Sequence, residues 1–219
     1  MGAKITGDGT STIEVRGVSD LGGVVHSIIG DRVEAATFLI AAAATRGDID
    51  VTGFNPDYLS ILLDKLRSAG AKLELGETSV RLSMDSCALS PVDIETDVYP
   101  GFPTDMQAQF MVLNCIADGK SVMRERIFEN RFLHVQELSR LGAKIELRGN
   151  STAVITGVNK LNAAQVMATD LRASSSLVIA ALIAEGESVI DRIYHIDRGY
   201  QAIEEKILSL GGAIKRVNR

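Results

Sequence analysis

The chain has 219 residues, 46% hydrophobic and 23% charged, which supplies a sizeable core and argues against disorder. Its net charge is −5, only 5% of residues are aromatic, and Trp is absent, so no basic, ring-studded surface for nucleic acid is present. The longest apolar runs, such as 177–184, are too short for a helix that spans a bilayer, and Lys4 is followed by polar residues rather than a signal sequence.

In chain order, the first predicted elements are strands at 3–5 and 13–16. Met1-Gly2-Ala3-Lys4-Ile5-Thr6 fits the loose N-myristoylation pattern, but Gly2-Ala3-Lys4-Ile5 recurs as Gly70-Ala71-Lys72-Leu73 and Gly142-Ala143-Lys144-Ile145, with a looser copy at Gly211-Gly212-Ala213-Ile214. The four glycines are 68, 72 and 69 residues apart, which marks Gly2 as the glycine of a repeat.

Each unit then reads alike. Ala- and Leu-rich helices are predicted at 34–46, 106–118 and 173–185, each stopping near a glycine. Short strands follow at 49–51, 121–123 and 188–190. A second, more amphipathic helix comes next, as at 58–66, then the repeat glycine and two strands, as at 72–75 and 80–82.

The expected fold is therefore α/β, with three βαβαββ-like repeats about a pseudo-three-fold axis, helices inside and sheets outside. Residues 1–20 are expected to be the closing hairpin of an earlier repeat, and residues 21–219 one domain with repeats near 21–90, 91–160 and 161–219. On this reading the chain is the carboxy-terminal part of something longer.

Charge gathers where helices are predicted to begin. Asp31 with Glu34, and Thr104 with Gln107, have capping-box spacing. Capping leaves Arg131, Arg172 and Arg198 unexplained, because a cation in a first helical turn opposes the helix dipole. The three guanidinium groups together suit an anionic group such as phosphate or carboxylate, the alternative being local pairs with Glu129, Asp170 or Asp197. His26, His134 and His195 share no metal-ligand spacing, and no metal is expected. Cys115 lies in an apolar segment and reads as core, and with Cys87 it makes no disulfide framework, which fits a cytoplasmic protein. Gly-rich nucleotide motifs are absent.

Four stretches then carry a resemblance. They are Phe102-Pro103-Thr104-Asp105-Met106-Gln107-Ala108-Gln109-Phe110, Phe128-Glu129-Asn130-Arg131-Phe132, Met167-Ala168-Thr169-Asp170-Leu171-Arg172-Ala173-Ser174, and 191–200, which includes His195-Ile196-Asp197-Arg198. With them the chain resembles the bacterial UDP-N-acetylglucosamine 1-carboxyvinyltransferase family, enolpyruvyl transferases of peptidoglycan precursor synthesis. The resemblance implies an inside-out α/β barrel and transfer of the enolpyruvyl group of phosphoenolpyruvate to the 3′-hydroxyl of UDP-N-acetylglucosamine, with release of phosphate and no cofactor. It implies that Asp105 contacts the sugar hydroxyl as general base and that Ile127 and Phe128 border the UDP. Arg131, Asp170, Arg172 and Arg198 would surround phosphoenolpyruvate, Arg198 with a catalytic part.

The family's Pro-Gly-Gly-Cys loop and its amino-terminal Lys-Asn pair are not in this sequence, so the resemblance implies about half an active site and the amino-terminal half of the same enzyme as partner. The other readings are a 5-enolpyruvylshikimate-3-phosphate synthase-like enzyme and a non-catalytic ligand-binding half.

Overall fold

The computed structural model describes residues 1–84 and 88–217; Cys87 lies outside them. Strands β1 (Lys4–Thr6) and β2 (Glu14–Arg16) pair antiparallel with Ile5 opposite Val15, and every residue of both is exposed. No strand or helix follows until α1 (Arg32–Ala44). There Asp31 accepts the backbone N–H groups of Val33 and Glu34, a cap that contributes about 1 kcal/mol.

The first unit continues with β3 (Asp48–Thr52), a 3-10 turn at Pro56–Leu59, α2 (Ser60–Ser68), β4 (Lys72–Leu75) and β5 (Ser79–Ser83). The three strands form an antiparallel sheet in the order β3-β5-β4. The second unit comprises β6 (Ile94–Glu95), a 3-10 turn at Thr104–Met106, α3 (Gln107–Cys115), β7 (Lys120–Arg124), α4 (His134–Arg140), β8 (Lys144–Arg148) and β9 (Thr152–Thr156). Its sheet runs β6-β7-β9-β8, with β6 parallel to β7.

Register repeats between the two sheets. Asp48 and Lys72 both face Ser83, and Lys120 and Lys144 both face Thr156. The third unit holds β10 (Leu161–Asn162), β11 (Gln165–Met167), α5 (Leu171–Ile183), β12 (Ala184–Glu185), β13 (Val189–Asp191), α6 (Tyr194–Asp197) and α7 (Ile203–Ser209). Here β10 pairs parallel with β12 and β11 with β13.

The recurring glycine has one local cause. After α2, α4 and α7, Gly70, Gly142 and Gly211 adopt φ of 109°, 92° and 88°. Each helix closes with the same pair of bonds, such as Gly70 N–H to Arg67 O and Ala71 N–H to Leu66 O. That Schellman turn needs a left-handed residue, which glycine supplies without strain. At the end of α1 the same turn forms, but Arg46 (φ 59°) takes the left-handed position and Gly47 follows it. The expected glycine stop is displaced there by one residue.

The core is built on α1, α3 and α5, which pack against one another. All of α3 is buried, and Phe110 meets Phe102 edge to face with ring centroids 5.7 Å apart. Tyr200, after α6, hydrogen-bonds its hydroxyl to Thr37 of α1 at 2.8 Å. Cys115 is core as expected, and burial pushes its thiol up to about 12. No helix among the described residues is long and apolar enough to cross a membrane.

The expected repeat is visible in part. Among the described residues only the second unit shows a leading strand, two helices and a closing hairpin together. The first has no leading strand, and after α7 residues 212–217 form no strand among those described. Among the described residues no sheet closes on itself: β3-β5-β4 and β6-β7-β9-β8 are separate open sheets. Instead of pairing as a strand, the last described segment is held by Arg216, which binds Asp197 at 2.7 Å and Glu204 at 2.6 Å. That guanidinium draws both carboxyls below their usual range.

The contrast between core and hairpin is measurable by urea unfolding. Phe110→Ala should cost about 3–5 kcal/mol, and Val15→Ala less than about 0.5 kcal/mol. Comparable losses would mean that the hairpin is packed against the core in solution.

Candidate active-site cleft

The second unit differs from its neighbours at the start of its inner helix. α1 and α5 both begin with an aspartate as N-cap; Asp170 accepts from the N–H groups of Arg172 at 2.8 Å and Ala173 at 2.9 Å. α3 is entered instead through a 3-10 turn without a side-chain cap. The capping box expected of Thr104 and Gln107 does not form. Thr104 donates its hydroxyl to Glu125 at 2.9 Å, while Gln107 is buried with neither amide atom bonded. Asp105 is thereby left free of capping work, and its carboxylate reaches out to two arginines.

Arg172 approaches it in a fork, Nε to Oδ1 at 3.1 Å and Nη2 to Oδ2 at 3.5 Å. Arg131 adds Nη2 to Oδ1 at 3.4 Å. Arg131 also lies over the Phe128 ring, 4.9 Å from its centroid, a cation–π contact. Neither arginine takes the pairing with Glu129, Asp170 or Asp197 left open by the sequence. Asp197 is engaged by Arg216, and Arg198 has no ion-pair partner among the described residues.

These groups line a cleft of about 460 Å³ with Glu129, Asn130, Leu133 and Leu171. Six of the seven expected residues meet there: Asp105, Phe128, Arg131, Asp170, Arg172 and Arg198. Ile127 does not; it is half-buried, and its N–H donates to Glu125. Of the three arginines only Arg172 sits in a first helical turn, that of α5. Arg131 precedes α4 by three residues, and Arg198 caps the carboxyl end of α6, where a cation is favoured.

Glu125 escaped sequence reading. It is 2% exposed and accepts four hydrogen bonds: from the hydroxyls of Thr96 and Thr104, and from the backbone N–H of Ile127 and Phe128. Charge-assisted bonds of this kind contribute about 1.5–3 kcal/mol each and offset the cost of burying the carboxylate. In sequence it is one acid between two arginines, a pattern ordinary for a solvated loop. Asn130, with φ 55°, turns the chain between Phe128 and Arg131, a conformation asparagine tolerates. No group of three potential metal ligands exists among the described residues.

Behind the cleft, burial pushes His134 down to about 4; nearby Asp170 opposes the shift and Arg131 reinforces it. The unfolded chain takes up this proton near pH 6.5, so His134 adds stability above that pH and loses it as pH falls through 4. The loss is on the order of 3 kcal/mol. Chemical unfolding between pH 4 and 7 should show this slope and a flatter curve for His134→Gln; parallel curves would refute a neutral, buried imidazole.

With the geometry in place, comparison with known proteins fixes the family. The chain is 55% identical over 217 residues to UDP-N-acetylglucosamine 1-carboxyvinyltransferase of Shewanella halifaxensis, covering 99% of this chain and 51% of that protein. It is 54% identical to the same enzyme of Shewanella pealeana, with equal coverage. The chain thus spans about half the length of these relatives. Among solved structures, the enolpyruvyl transferase NikO from Streptomyces tendae matches 98% of the chain and 51% of its own, with TM-score 0.84 and 26% identity. An EPSP synthase from Acinetobacter baumannii shares the fold over the whole chain and 53% of its own, with TM-score 0.71 and 17% identity. The model of the EPSP synthase (3-phosphoshikimate 1-carboxyvinyltransferase) family matches residues 1–207, and the chain belongs to that family.

Proposed function

We propose that the chain forms one half of an enolpyruvyl transferase that moves the enolpyruvyl group of phosphoenolpyruvate to the 3′-hydroxyl of UDP-N-acetylglucosamine. The observation that carries this reading is the Asp105 carboxylate held between Arg131 and Arg172, with Arg198 lining the same cleft. The 55% identity to nucleotide-sugar enzymes, against 17% to an EPSP synthase structure, favours UDP-N-acetylglucosamine over shikimate 3-phosphate as acceptor.

On this reading Asp105 takes the proton of the attacking hydroxyl as its oxygen bonds to C2 of phosphoenolpyruvate. The tetrahedral adduct then expels phosphate as a C3 proton returns to the group that supplied it, which regenerates the double bond. Arg131, Arg172 and Arg198 balance the carboxylate and phosphate while charge shifts between them. Asp170 orients the start of α5, and so Arg172, while Phe128 and Ile127 flank the UDP. The second half of the enzyme supplies the proton for C3 and the remaining ligands of phosphoenolpyruvate.

The arrangement proposed for residues 21–219 is an inside-out barrel: three repeats near 21–90, 91–160 and 161–219 about a pseudo-three-fold axis, with residues 1–20 a hairpin of the preceding domain. The mutual packing of α1, α3 and α5 and the exposed β1–β2 pair support it. The proposed setting is cytoplasmic peptidoglycan precursor synthesis, and hence cell-wall growth and division.

Phosphate release from phosphoenolpyruvate and UDP-N-acetylglucosamine tests the proposal. The 219-residue chain alone should give no turnover, and addition of the amino-terminal half should restore it. Turnover by the chain alone, or none with both halves, would overturn it. In the two-half enzyme Asp105→Asn should lower kcat by about 10²-fold or more, since a positioned general base contributes about 10²–10⁴. An unchanged kcat would remove Asp105 from the chemistry.

Arg172 and Arg198 should also hold inorganic phosphate weakly in the isolated chain, with affinity that falls as salt rises. Replacing both by Gln should abolish this binding without altering the circular dichroism spectrum. Loss of fold in that variant would show that the pair serves stability instead.

A further inference from the structure

Glu125 sits where three segments meet, and only one of its four bonds goes to its own strand's neighbour. Thr96 continues from β6, and its Oγ1 accepts the Arg126 N–H at 2.9 Å, so its own proton is directed to Glu125 Oε1 at 2.9 Å. The same Oε1 takes the N–H groups of Ile127 at 2.8 Å and Phe128 at 3.1 Å, which bends the chain after β7 toward the cleft. Oε2 holds Thr104, the residue before Asp105, at 2.9 Å. One buried carboxylate therefore fastens both walls of the cleft: the turn that carries Asp105, and the loop that carries Phe128 and Arg131.

We propose that Glu125 is the positioning residue of the cleft, setting the distance between Asp105 and the loop bearing Phe128 and Arg131. The assignment rests on the active-site reading of the cleft given above. Glu125 is not among the residues that line the cleft. Its effect passes through Thr104 on one side and the backbone of 127–128 on the other. Small displacements matter in such an arrangement, because a shift of about 1 Å in a catalytic constellation can cost about 10²-fold in rate.

The two oxygens make separable tests. In Glu125→Gln, Oε1 can keep its three donors while the amide donates to Thr104 Oγ1, whose hydroxyl rotates to accept. Glu125→Ala removes both ties, and Thr104→Val cuts only the one to the Asp105 turn. Two readouts on the 219-residue chain apply: the Nε–H resonances of Arg131 and Arg172, which report their pairing with Asp105, and affinity for inorganic phosphate at low salt.

Glu125→Ala should displace both arginine resonances and weaken phosphate at least tenfold. Glu125→Gln should restore both to near the parent values. Thr104→Val should move the Arg172 resonance and leave the Phe128 amide in place. If Glu125→Ala fails to fold, the Gln and Val variants decide. Unshifted arginine resonances in Thr104→Val, together with any fold-competent Ala variant that loses only melting temperature, would reduce Glu125 to a stabilising residue and overturn the proposal. Should the parent chain bind no phosphate, the anion-site reading fails, and the arginine resonances still test the positioning role.

Discussion

Burial of α3 on all sides is the constraint from which the rest follows. A helix packed against α1 and α5 with every residue buried leaves only the segments that flank it to reach solvent. Polar chemistry is thereby pushed to the helix termini and the loops that frame them. The N-terminal turn before α3 and the first turn of α5 meet at the cleft, and both reach Asp105. Asp31, at the start of α1, lines a different cavity with Lys206 and β3, so the three inner helices are not equivalent in use.

The electrostatics divide in the same way. Arg216 spans Asp197 and Glu204 at the surface, where such pairs contribute little stability and mainly hold a segment in place. Around Asp105 two half-buried guanidinium groups share one carboxylate, and a third lies nearby without an acid of its own. By formal charge the lining balances, Arg131, Arg172 and Arg198 standing against Asp105, Glu129 and Asp170. Asp170 is taken up by the cap of α5, so the guanidinium groups keep donors to offer an anionic ligand although the chain as a whole is acidic.

Glu125 supplies the mechanical side of this arrangement. The arginines and Asp105 come from segments far apart in sequence, and ion pairs at 3.1–3.5 Å are too soft to define their spacing alone. A buried acceptor with four donors is stiff, because moving any one segment strands a polar group away from water. His134, buried close enough to Arg131 and Asp170 to feel both charges, has its pKa lowered by that burial.

The repeat was legible in sequence because its cause is local. Gly70, Gly142 and Gly211 each close a helix with a left-handed residue, so backbone sterics write the period directly into the chain. Asp31 was likewise readable as a cap, since capping depends on residues two and three positions away. Asp105 and Arg172 could be singled out through the stretches that resemble known enolpyruvyl transferases, but their contact could not. It joins residues 67 positions apart through packing of α3 on α5. The role of Thr104 was misread for the same reason: its hydroxyl had a local partner on paper and a better, distant one in Glu125. Sequence determined the elements and their spacing because turns and caps act over a few residues. Tertiary structure alone decided which strands found partners and which carboxylate became the buried anchor, because those outcomes depend on segments brought together only by burial of the core.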